Sequence, residues 1–229
     1  MRFAVIRERN SLLLNKFICF YILSFISYSS LYGQRVLSVI EILEIWKSVQ
    51  TEESRDSLYR TPYEIRTRQT FDRLMESGVD TILVYSRRTP GPAYIRQNDI
   101  PCDDPYPATS YIFWKENGIH YTSKLTGKCE TVSVTDGQLV EFMVNNFQNM
   151  RDEFFMNAIY SAETHGERIR IRSTSNPHDT QYTLLLNIGE NYKYLFFDNN
   201  AITDQQSLFY DYNRSLISYR LFNLIENKN

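Results

Sequence analysis

Residues 167–172 read Glu-Arg-Ile-Arg-Ile-Arg, so that Arg168, Arg170 and Arg172 alternate with Ile169 and Ile171. Alternate residues of an extended strand share a face and stand about 7 Å apart. The three guanidiniums would therefore form a cationic ladder able to hold a carboxylate, an anionic glycan or an acidic protein. The plainer reading is a solvated edge strand, where charge discourages pairing with other chains. A second group of cations, Arg87 and Arg88, precedes Thr89-Pro90-Gly91-Pro92-Ala93-Tyr94. Cations, a tyrosine and stiffening prolines suit a functional loop, and equally a plain connector.

Proton-transfer and metal chemistry have less to work with. The histidines are His120, His165 and His178. His165 and Glu167 flank Gly166, and His178 adjoins Asp179. No two histidines stand at helical ligand spacing, and a metal site needs three or four ligands of matched geometry. The chain lacks HExxH, GxSxG, a phosphate-binding glycine loop and GxGxxG. These residues imply no cofactor and no metal, and they favour a non-catalytic protein. A small hydrolase pairing a loop histidine with a carboxylate is the alternative, because triads assemble by geometry and not by spacing. His120 falls in an expected strand and should be half-buried.

The start of the chain speaks to compartment. Residues 1–16 carry net positive charge, residues 17–28 form an apolar run, and Ser29, Ser30 and Gly33 supply small residues after it. That is the layout of a secretory signal peptide. Cleavage is expected after Gly33, or slightly earlier at Ser29 or Ser30. The apolar run is shorter than the ~20 residues a spanning helix needs. A retained leader would instead make the protein a membrane-tethered structural component. Removing residues 1–33 leaves 21 basic and 26 acidic residues, a net charge of −5. Binding to nucleic acid relies on a basic footprint, so nucleic acid is not an expected partner. Without Cys19 in the leader, Cys102 and Cys129 remain. An even pair in an exported chain points to one disulfide. Closing the intervening loop would contribute roughly 3.5 kcal/mol in the chain-entropy model. The localisation expected is the periplasm or the extracellular space.

The elements that would position these residues follow from periodicity. Val36, Val39, Ile40, Leu43 and Trp46 share one face of a helix over 36–49. Thr61-Pro62-Tyr63-Glu64 opens a second helix that should stop at Gly78, with Phe71, Leu74 and Met75 buried. A strand is expected over 81–85. A long loop over 87–108 follows, holding five of the seven prolines. Strand-like runs at 110–115, 119–125 and 129–134 are separated by turn residues, which predicts an antiparallel meander. Thr135 with Gln138 opens another helix, whose buried side is traced by Val140, Met143, Val144, Phe147 and Phe154. Strands at 167–172, 182–186 and 192–197 come next. One helix over 204–225 should close the chain, with Phe209, Tyr212, Leu216 and Tyr219 at helical spacing. Grouped hairpins predict an α+β fold: an antiparallel sheet of five to seven strands covered by amphipathic helices. The domain expected spans 34–229, with two lobes divided near residue 160 as the alternative.

Overall fold

The structure, a computed structural model, describes residues 35–49, 62–89, 108–126, 129–165, 168–173 and 179–228, with only the backbone at 46–49, 62–64, 165, 168 and 169. The expected leader at 1–33, residues 90–107 of the expected Pro-rich loop and the charged stretch at 51–60 lie outside the described residues. The strands are β1 Arg35–Val36, β2 Thr81–Arg88, β3 Ala108–Glu116, β4 Ile119–Thr126, β5 Cys129–Val134, β6 Ile159–His165, β7 Arg168–Ser173, β8 Gln181–Ile188 and β9 Asn191–Asp198. The helices are α1 Val39–Val49, α2 Pro62–Glu76, α3 Gln138–Arg151, α4 Asn199–Thr203, α5 Tyr210–Ser215 and α6 Ile217–Glu226.

Antiparallel sheets combined with these helices make an α+β fold. One sheet has six strands in the order β5-β4-β3-β2-β8-β9, and the other has three in the order β1-β6-β7. The meander β3–β4–β5 forms as expected. Its first turn places Asn117 (φ 51°) and Gly118 (φ 80°) in the left-handed region, which a two-residue hairpin of matching twist requires. The six-stranded sheet draws strands from both sides of residue 160, because β8 pairs with β2 from Thr81↔Ile188 to Arg88↔Gln181.

Strand alternation divides the core. Leu83, Tyr85, Phe113, Leu184 and Phe197 face α3 and α6, through Val140, Met143, Phe147, Leu221 and Phe222. Ile82, Val84, Ile112, Trp114 and Leu185 face the opposite way, against Phe71 and Leu74 of α2. A third cluster of Leu37, Ile42, Phe154, Met156, Ala162 and Phe209 underlies the three-stranded sheet.

Several expectations are corrected. Val36 and Ile40 are about 70% exposed (70% and 71%), whereas Leu37 and Ile42 are buried. Val36 belongs to β1 and Ser38 caps the helix, so the helix begins three residues later than periodicity implied, while Val39 and Leu43 of the expected face pack against the third cluster. Ser38 and Glu41 form a reciprocal capping box: the Ser38 backbone N–H donates to Glu41 Oε2 at 2.9 Å, and the Glu41 N–H donates to Ser38 Oγ at 3.3 Å. At α3 the cap is Gly137 (φ 75°), not Thr135. A Cβ at Gly137 would collide with the His120 ring, so space and backbone conformation both select glycine there. Val144 is exposed and Phe154 is buried beyond the end of α3.

The expected closing helix is broken in two at Leu216, which is extended (φ −64°, ψ 144°). The Glu153 carboxylate caps the new helix start. It accepts the Ile217 and Ser218 N–H groups at 2.8 Å each and the Ser218 hydroxyl at 2.6 Å. Satisfying amide groups that a helix N-terminus leaves unpaired stabilises the break. Buried Asn213 on α5 joins three segments. Its Oδ1 accepts the Met156 N–H at 2.9 Å, and its Nδ2 donates to the carbonyls of Met156 at 2.8 Å and Ala201 at 2.7 Å.

Asn213→Ala should therefore lower unfolding stability by about 2–4 kcal/mol, since three backbone groups lose their partner in the interior. Urea denaturation measures this as a lower midpoint at unchanged slope. An unchanged midpoint would mean that Asn213 joins nothing.

Candidate functional site

The arginine run forms β7, an outer strand of the three-stranded sheet. Register sets Arg168 opposite His165, Arg170 opposite Glu163 and Arg172 opposite Ser161. Arg168, Arg170 and Arg172 occupy alternate positions and so share one face. Arg170 and Arg172 are exposed, and among the described residues neither enters an ion pair. The opposite face of this sheet carries Ala162 and Leu37 over the third cluster. There Ile171 overhangs the margin and is 41% exposed.

Arg87 and Arg88 are not loop residues. They are the last two positions of β2, paired to Thr109 and Ala108 on one side and to Tyr182 and Gln181 on the other. Two flanking strands hold the chain extended up to Arg88, which proline content further on did not reveal. Arg87 Nη1 lies 3.9 Å from Glu226 Oε2, and the Tyr85 hydroxyl donates to Glu226 Oε1. An ion pair this exposed, with Arg87 53% open, contributes about 0.5 kcal/mol. The Tyr85 ring lies parallel to Tyr111 at 6.2 Å and to Tyr182 at 6.4 Å, and it meets the edge of Phe222 at 6.3 Å. Burial, and then the bond to Glu226, hold the Tyr85 phenol far above its ordinary titration range. It stays a protonated donor. This cluster ties the end of α6 to the sheet and leaves Arg87 partly neutralised.

The histidine–carboxylate pairs divide differently. Glu167, His178 and the His165 side chain lie outside the described residues. Asp179 is engaged structurally: its Oδ1 accepts the Thr180 N–H at 3.0 Å and its Oδ2 accepts the Asn200 N–H at 2.8 Å, at the start of α4. His120 is half-buried, as expected, and its Nε2 is enclosed without a hydrogen-bond partner among the described residues. Cys129 is the first residue of β5, opposite Thr126, while Cys102 lies outside the described residues. No group of three or more metal-ligating side chains stands together among the described residues.

Comparison with protein-family models, with curated proteins and with solved structures returned no match. The site therefore rests on its own chemistry. Two exposed guanidiniums on one strand face have the charge and the planar donor geometry to attract anions.

Local patterning gave no sign of Asp198, whose environment is set by tertiary packing. Burial first, and the charge of Asp179 second, raise its carboxyl above the usual 3.8. Its Oδ1 has no hydrogen-bond partner among the described residues. A raised value means that the folded protein holds this proton more tightly than the unfolded chain does. The stability it contributes is complete below the ordinary carboxylate range and is lost as pH rises through the folded value. Asp198→Asn, which stays neutral, should raise the urea midpoint at neutral pH, and the gain should vanish at about pH 3. Equal midpoints at neutral pH would contradict this account of Asp198.

Proposed function

We propose that this chain is exported, loses its leader near Gly33, and acts outside the cytoplasm as a non-catalytic binding protein for an anionic partner. The arginine face of β7 makes the contact. The observation that carries this reading is the exposure of Arg170 and Arg172 without ion-pair partners among the described residues. A cationic strand face of this kind draws acidic proteins or glycans through complementary charge.

Export is supported by the positive stretch, short apolar run and small residues of 1–33. Arg35 and Val36 already pair with Thr164 and Glu163, so a chain cut after Gly33 enters the fold at its second residue. Among the described residues no helix is long and apolar enough to cross a membrane. The disulfide proposed between Cys102 and Cys129 is supported by the even pair of cysteines that remains once residues 1–33 are removed.

Intact mass and thiol titration of protein from the native host test the compartment. The expected chain begins at Gln34 or within a few residues before it, with no free thiol before reduction. A mass that includes residues 1–33, or two reactive thiols, would contradict export. Binding to poly-L-glutamate and to heparin tests the contact. R168S/R170S/R172S should lose most of the affinity, and an unchanged triple variant would overturn the assignment to β7.

A further inference from the structure

Backbone geometry at β7 narrows the partner. The Leu37 N–H donates to the Ala162 carbonyl at 2.8 Å, so the polar backbone groups of Ala162 face β1. In an extended strand the N–H and C=O of one residue leave on the same side, and those of its neighbour on the other. Ala162 therefore makes no ladder bond toward β7, and its pair with Ile171 is of the non-hydrogen-bonded type. It follows that the N–H and C=O of Ile171 point away from β6, toward the free side of the sheet. Among the described residues nothing meets them. Arg170 alternates with this arrangement: its backbone faces Glu163 on β6, and its side chain belongs to the exposed arginine face.

We infer that β7 accepts an extended peptide as a fourth strand, and that this peptide carries acidic residues at alternate positions with apolar residues between them. The proposal rests on the anion-binding role assigned to β7 above, and specifies how that binding occurs. Three features of the edge converge on it. The outward N–H and C=O of Ile171 offer ladder bonds, which supply much of the affinity when a strand is added to a sheet edge. In antiparallel addition the residue opposite Arg170 sits in a non-hydrogen-bonded pair, with Cα atoms about 4.5 Å apart and side chains at their closest. Carboxylates spaced about 7 Å apart along the peptide match the spacing of the arginines. On the other face, an apolar side chain opposite Ile171 would cover a residue now 41% exposed.

Charge also eliminates the nearest competitor. A second copy of the chain pairing β7 against β7 would set arginine faces against each other, and like charges directly opposite destabilise a sheet. A glycan supplies anions but no ladder of N–H and C=O groups, and it leaves Ile171 uncovered.

Fluorescence anisotropy with the mature protein and a labelled peptide of four Glu-Val repeats tests the inference. The peptide should bind, and R168S/R170S/R172S should weaken it about tenfold or more. An otherwise identical peptide, N-methylated along one backbone edge on every second residue, is prepared in both registers. In the register that blocks its bonding edge, binding should be lost, although its charge is unchanged. Ile171→Pro removes an N–H that makes no ladder bond; it should keep the fold by circular dichroism and weaken the Glu-Val peptide, while poly-L-glutamate binding through charge persists. Equal binding of both N-methylated peptides and the parent, with poly-L-glutamate still bound, would overturn strand addition and leave the anion-binding role intact. Heparin binding without peptide binding would assign the face to a glycan and overturn the inference. Absence of all anion binding would overturn both.

Discussion

β2 is hydrogen-bonded along both sides and buried on both faces. It pairs with β3 from Ile82↔Trp114 to Arg88↔Ala108 and with β8 from Thr81↔Ile188 to Arg88↔Gln181. Within the six-stranded sheet the meander and the β8–β9 hairpin are joined through this strand, because β2 lies between β3 and β8. Its alternating side chains also keep two cores apart: Leu83 and Tyr85 reach α3 and α6, while Ile82 and Val84 reach α2. The end of the chain depends on it as well, since Glu226 receives the Tyr85 hydroxyl and lies beside Arg87. A carboxylate in the last turn of a helix opposes the helix dipole. Tyr85 and Arg87 offset that unfavourable position and hold α6 over the sheet.

Against this frame the legibility of the chain divides by range. The meander could be read because Asn117-Gly118 specifies its first turn within two residues, and α2 because Pro62 and Gly78 mark its ends. The break at Leu216 could not, since it follows from a carboxylate 64 positions upstream in the chain, Glu153, bonding to Ile217. β6 carries no strict alternation: Ser161, Glu163 and Thr164 hide it, and it forms because β1 and β7 flank it. The start of α1 was missed because Val36, an apolar residue at helical spacing, was already committed to a strand. Tertiary partners decide such positions, and local propensity yields to them.

The candidate site shows the same division. Alternation at 168–172 made the arginine face readable from the residues alone. That β7 is an outer strand, with the backbone of Ile171 turned outward, depends on Leu37 and Ala162, and nothing near the arginines records it. Arg87 and Arg88 illustrate the converse. Their sequence neighbours are prolines, yet β3 and β8 draw both residues into the sheet, and one is spent holding Glu226. In the proposed role the charges on β7 would serve two ends at once. Repulsion between like faces would disfavour pairing of this edge with its own copy, and the same field would select for acidic segments, so edge protection and partner choice need not compete.

Because it pairs along both sides, β2 should make the strands before and after it one cooperative unit. Native-state hydrogen exchange, followed residue by residue, addresses that most directly. Amides in the ladders of β2 with β3 and of β2 with β8 should exchange through a single opening of equal free energy, equal to that of global unfolding. If amides bonded within the β8–β9 hairpin exchanged through a separate opening of lower free energy, while β2 and β3 stayed protected, the claim would be contradicted.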